Sequence, residues 1–149
     1  MRLIVYFLFV LVFGFLLFRL PLLYQKKKLF QILGIGFACS FLLLIVGYFC
    51  FLMYAAKMNS NLMLYERQVI NIFMGVISLF FFSLLIHLFT EIILEKILLG
   101  FHQQYNTTNL DKNPIKFVLE NRNKIKNGFK IIFFLGGFLI YYGVVYGSN

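Results

Sequence analysis

Four long runs of apolar residues, separated by short polar stretches, dominate the chain. The first covers Leu3 to Phe18 and, past Arg19, continues through Leu20, Leu22 and Leu23. The second covers Leu29 to Ala56, the third Val69 to Phe89 and the fourth Phe129 to Tyr146. About 18 to 20 apolar residues are needed to cross a hydrocarbon core roughly 30 Å thick, and each run reaches or approaches that length. Arg19 extends the first run by carrying its guanidinium back to the headgroups on a long apolar stem. A spanning helix satisfies every backbone N–H and C=O within itself, whereas a β-barrel would show segments of about ten residues alternating apolar and polar. No such alternation occurs. The pattern predicts an all-α integral membrane protein, a single membrane domain over residues 1–149 with four transmembrane helices. The expected spans are 3–23, 29–56, 69–90 with a helical extension to about 104, and 129–146. No small-residue cleavage site follows the first run, so it reads as a retained helix and not as a removed signal peptide.

The stretch 105–128 is the one sizeable connection. Asn113 before Pro114 suits a helix N-cap and first turn. Ile115, Val118, Leu119 and Ile125 would then share one face of a short amphipathic helix whose other face carries Lys116, Arg122 and Lys126, leading into the fourth span through Gly128. The alternative is a plain connector solvated by those charges. Asn106-Thr107-Thr108 matches the glycosylation sequon, which would not be modified on the inner side of a membrane.

Composition sharpens the class. Of 149 residues 62% are hydrophobic and 13% charged, against about a quarter charged in a typical soluble domain. Phe, Tyr, Met, Ile, Asn and Lys make up nearly half of the chain. Their codons are AT-rich, so aromatic abundance alone carries little functional meaning. The net charge of +9 would fit a nucleic-acid partner only if the basic residues formed a soluble surface. They lie instead beside the spans, where Lys and Arg set topology and touch anionic headgroups. Arg19, Lys26, Lys27 and Lys28 sit between the first two runs; Lys96, Lys112, Lys116, Arg122, Lys124 and Lys126 sit between the last two, with Lys130 just inside the fourth. The other side carries only Arg2, Lys57 and Arg67. The positive-inside rule therefore places both basic connections inside and both termini on the outer side. Arg19, Lys26, Lys27, Lys28, Lys116, Arg122, Lys124 and Lys126 are the expected headgroup-facing cations. The expected partners are anionic lipid and other membrane proteins, with no nucleic acid, in a bacterial plasma membrane or an organellar inner membrane. Tyr6, Tyr54, Tyr65, Tyr141, Tyr142 and Tyr146 fall near the proposed outer ends, Tyr24 and Tyr105 near the inner ones, and only Tyr48 sits well within a span.

Candidate chemistry concentrates on the third helix. His87, Glu91 and Glu95 follow at intervals of four, His102 comes seven later, and at 100° per residue the four fall within about an 80° arc, with Ser83 on the same face. Ionisable groups at membrane depth are expensive and point to function by default. Three readings compete: local pairing with Lys96 or loop cations near the membrane boundary, a proton or ion path, and ligation of a metal or haem by His87. No close metal motif is present, and a bis-histidine haem would need its second ligand from another chain, so no cofactor is expected. Cys39 and Cys50 lie about 16 Å apart along the second helix, too far to bridge. Small residues form two stripes, Gly36, Ser40 and Gly47 on the second helix and Gly136, Gly143 and Gly147 on the fourth, which predict close helix contacts within the bundle or with a partner.

A phosphate-binding glycine loop and a nucleophilic triad are both missing, and only two prolines are available to break a transport helix. The function expected is a non-catalytic subunit or accessory component of a membrane complex. The alternatives are a small oligomeric transporter or ion-conducting protein using His87, Glu91 and Glu95, and a redox subunit with His87 on haem.

Overall fold

Residues 2–58, 66–105, 108, 110, 112–113 and 115–147 are described in the computed structural model of the chain. Among them there is no strand, and four helices are long and apolar enough to cross a membrane. Helix α1 is Arg2–Leu23 and α2 is Lys26–Met58. Helix α3 occupies residues 66–105; its α-helical part Glu66–Leu88 continues without a break into Phe89–Leu99 and Gly100–Tyr105. The short α4, Ile115–Glu120, precedes α5, Arg122–Tyr146. Tyr65, Asn106, Thr107 and Pro114 lie outside the described residues, so the sequon and the Asn113-Pro114 cap do too.

The helices run past the apolar stretches at their basic ends. Helix α2 begins at Lys26 and α5 at Arg122, which draws Lys26, Lys126 and Lys130 into helical register with the spans. At 33 residues, α2 measures about 50 Å and must tilt or project beyond a core roughly 30 Å thick. The amphipathic face of the connection is shorter than the sequence implies. Ile115, Val118 and Leu119 are half-buried on α4, but the chain turns at Asn121, whose side-chain amide donates to Phe117 O at 3.0 Å. Ile125 consequently belongs to α5, and the bend into that helix is at Asn121, while Gly128 lies inside a continuous helix.

Helices α1, α3 and α5 form the core, and α2 lies against α3 alone for most of its length. Phe9 and Phe13 of α1 clasp Tyr141 of α5. Phe9 stacks on it at 5.4 Å between ring centroids and Phe13 meets it edge-on at 5.4 Å. Such aromatic pairs are worth about 0.5–1.5 kcal/mol beyond the area they bury. Leu16, Leu17, Leu20, Leu29 and Leu33 close the core at the basic end, where the Tyr24-Gln25 turn holds α1 and α2 together.

In lipid, apolar surface gives little drive for association, so helices gain most from backbones that approach closely at small residues. Here the rule takes one recurring form, an aromatic ring seated on a glycine. Phe80 sits on Gly36, Phe73 on Gly47 and Phe13 on Gly137, while Gly75 is held between Phe9 and Val144. Gly36 and Gly47, with buried Ser40 between them, thus form the contact face predicted for α2. The stripe on α5 makes no such contact inside the bundle among the described residues. Gly136 and Gly143 have nothing within 4 Å of where a Cβ would stand, and Gly147 meets only its own helix at Gly143. The buried line of α5 is Lys126, Gly137, Tyr141 and Val145. One residue along a helix turns the face by 100°, so Gly137 points inward and Gly136 outward.

The glycines should therefore respond oppositely to added side chains. At Gly75 a Cβ would lie 2.8 Å from Phe9 Cζ and 2.9 Å from Val144 Cγ1, and Gly75→Leu is expected to cost about 1–3 kcal/mol by overpacking. Gly143→Ala should be neutral or stabilising by up to about 1 kcal/mol, through helix propensity alone. Denaturant unfolding in detergent micelles, followed by circular dichroism, compares the two.

Candidate functional site

The polar interior of the bundle starts from a proline. In an α-helix the carbonyl of Leu16 would accept the N–H of Leu20, but residues Phe15–Arg19 adopt the wider π-helical turn and the Leu20 N–H goes to Phe15 O. The next donor in the π pattern would be residue 21, which is Pro21 and has no N–H. Leu16 O is left without a backbone donor inside an apolar core. His87 of α3 supplies one: its ring is 1% exposed and Nε2 lies 3.2 Å from Leu16 O. A carbonyl only accepts, so Nε2 carries the proton in this arrangement, and a metal ion or haem iron would have to use Nδ1.

Helix α3 widens in turn just beyond His87, over Phe89–Leu99. At that junction the fully buried Thr90 donates its hydroxyl to Ile86 O at 2.9 Å, with His87 O a weaker second acceptor at 3.4 Å. Hydroxyl side chains and local π geometry are the usual means by which a spanning helix restores bonds displaced from the regular ladder. Ser83, one turn before His87, is also fully buried, and its Oγ has no hydrogen-bond partner among the described residues.

Two further turns along, four charges from three helices meet. Lys26 at the start of α2 places Nζ 2.5 Å from Glu91 Oε2 and 2.7 Å from Glu95 Oε2. Lys126 of α5 places Nζ 2.8 Å from Glu91 Oε1 and also pairs with Glu95 Oε1. Each ammonium bridges both carboxylates and each carboxylate holds both ammoniums, a closed square of opposite charges with no net charge. Its two sides differ in exposure. The Lys126 side chain is 11% exposed and that of Lys26 65%, so Lys126 carries the desolvated part of the network.

Of the four residues singled out on α3, the structure brings Glu91 and Glu95 into one cluster and puts His87 to separate use. His102 lies on the helical stretch Gly100–Tyr105, with its side chain outside the described part. Lys126 is corrected from a headgroup-facing cation to a buried one, drawn inward by the two carboxylates. Arg19, Lys27, Lys28, Lys116, Arg122 and Lys124 are exposed. No group of three or more potential metal ligands occurs among the described residues. At the opposite end of the bundle Tyr48 of α2 donates to Glu66 Oε1 at the start of α3, which gives the tyrosine within the second span a polar partner.

The chain matches no protein-family model, no curated protein and no solved structure. What it does must be argued from this geometry. The arrangement joins helices. His87 ties α3 to α1, and the charge square ties α3 to α2 and α5. The square holds two carboxylates already neutralised by ammoniums, so neither is free to act as a general base or to hold a cation without displacing a lysine.

Two stability measurements test these assignments. Removing one partner of a buried pair strands the others, so Lys126→Met is expected to destabilise the fold by about 3 kcal/mol, whereas Lys26→Met, at a largely exposed site, should cost about 1 kcal/mol or less. For the carbonyl, His87→Leu should cost about 1–3 kcal/mol, the penalty of an unsatisfied buried acceptor. In a Pro21→Ala background, where residue 21 regains an N–H, that cost should fall. A double-mutant cycle of unfolding free energies reads the difference, and strictly additive effects would refute the link between Pro21 and His87.

Proposed function

We propose that the protein is a non-catalytic subunit or accessory component of a membrane complex, oriented with both termini outside and its basic end inside. The observation that carries this reading is how the ionisable groups within the spans are used. Glu91, Glu95, Lys26 and Lys126 are engaged with one another, and His87 with a backbone carbonyl. Charges bridged on both sides, and an imidazole committed to a carbonyl, hold helices together, and none of them can take up an ion without first giving up its present partner. Two surface features add support. The face of α2 turned away from α3 exposes Ile35, Leu42, Val46, Phe49 and Met53, and α5 leaves Gly143 uncovered. Both offer helix surface to neighbours in the membrane. The excess of Lys and Arg at one end fits an inner surface facing the cytoplasm of a bacterium or the matrix of an organelle.

Extraction in a mild detergent followed by affinity purification of the tagged chain tests the reading. Stable, stoichiometric co-purification with other membrane proteins is expected, and the purified chain in sealed vesicles should conduct protons no faster than empty vesicles. Consistent elution as a lone monomer, or flux above that background, would count against it.

A further inference from the structure

The charge square leaves one cation over. Lys130 lies on α5 one turn beyond Lys126, half-buried, with His87, Glu91 and Lys126 within its electrostatic reach. No ion pair to it occurs among the described residues, and the chain has few acids to offer. Of its five acidic residues, Glu91 and Glu95 are each bridged by two ammoniums, Glu66 accepts the Tyr48 hydroxyl at the opposite end, and Glu120 is exposed on α4. Asp111 lies outside the described residues. Counted together, Lys26, Lys126 and Lys130 face two carboxylates, an excess of one positive charge at the edge of the spans. A cation in that position calls for an anion from outside the chain.

Beside it the surface is shaped for an apolar chain. A cleft of about 290 Å³, almost wholly apolar, is lined by Phe13, Phe82, Ile132, Phe133, Gly136 and Ile140. Its floor is open because Gly136 carries no side chain and meets nothing within 4 Å. Residues three apart are neighbours on a helix surface, so Lys130 stands one turn from Phe133 at the cleft's basic end. We propose that this face binds one anionic phospholipid, its phosphate at Lys130 and one acyl chain in the cleft between α3 and α5. Charge complementarity selects this occupant. A second copy docked over the same face would bring Arg122 and Lys130 of both chains together, and a zwitterionic lipid brings no net charge to offset the excess. The site rests on the four helices crossing a membrane and not on the subunit reading, so the two fail separately.

Native mass spectrometry of the purified full chain, exchanged into micelles doped with phosphatidylglycerol or phosphatidylcholine, tests the proposal. One phosphatidylglycerol per chain should be retained in preference to phosphatidylcholine, by the wild type, by Lys130→Arg and by Lys124→Met, an exposed control on the same helix. Lys130→Met should lower that occupancy roughly fivefold, the effect of about one lysine at an anionic surface. Gly136→Leu, which fills the cleft from an uncrowded position, should lower it with the charge intact. The proposal is overturned by unchanged retention in Lys130→Met, by equal retention of phosphatidylcholine, or by displacement of the lipid with inorganic phosphate alone, which would mark a free-anion site. If Lys130→Met does not fold, Gly136→Leu decides, and unchanged retention in that variant overturns the proposal as well.

Discussion

A backbone carbonyl that loses its N–H partner inside a hydrocarbon phase must find another donor, and the arrangement of this bundle follows from one such loss. Pro21 removes a donor and the π-helical turn of α1 redirects another, so that Leu16 O can be satisfied only from a neighbouring helix. His87 meets the need, and by doing so it fixes the height of α3 against α1. Every contact between those helices inherits that height, including Phe9 at Gly75. An unmet bond of this kind costs about 1–3 kcal/mol, a large term in a setting where apolar burial counts for little.

The charge square acts on the other two helices in the same way. Helix α2 has almost no contact with α1 or α5 along its length, yet its first residue reaches carboxylates that Lys126 also holds. The packing of α2 on α3 comes from rings seated on Gly36 and Gly47, which sets distance and sliding register, while Lys26 sets how α2 lies relative to α5. Shape complementarity and electrostatics thus divide the work. The lipid site proposed beside the square follows from the same arithmetic: Lys130 is the half-buried cation next to it with no ion pair among the described residues.

The four spans were legible in the sequence because a bilayer imposes a length of apolar chain that hydropathy reads directly. The interior was legible only in part. His87, Glu91 and Glu95 stand out as ionisable residues in an apolar run, and their place near the membrane boundary is compatible with pairing. Their partners did not stand out. Lys26 and Lys126 looked like loop cations because the apolar runs begin after them, whereas the helices begin earlier. Leu16 had no signal at all, since a carbonyl is common to every residue and only the conjunction of Pro21 with a local change of helical turn exposes it. The glycines show the limit of periodicity. Gly36 and Gly47 lie against α3, whereas on α5 the inward residue is the isolated Gly137 and not the repeating Gly136, Gly143 and Gly147. A stripe says that small residues share a side, not which side is inside.

The order in which the square is assembled has a consequence for biogenesis. A chain made from its N-terminus delivers Lys26 first, the two carboxylates of α3 next and Lys126 last. While α5 is still to come, two negative charges at the edge of the bilayer share a single, largely exposed ammonium. Arrival of α5 brings the counter-charge that lets Glu91 and Glu95 settle. Closure of the square is in that sense a checkpoint, a state the protein reaches only after its last helix is in place.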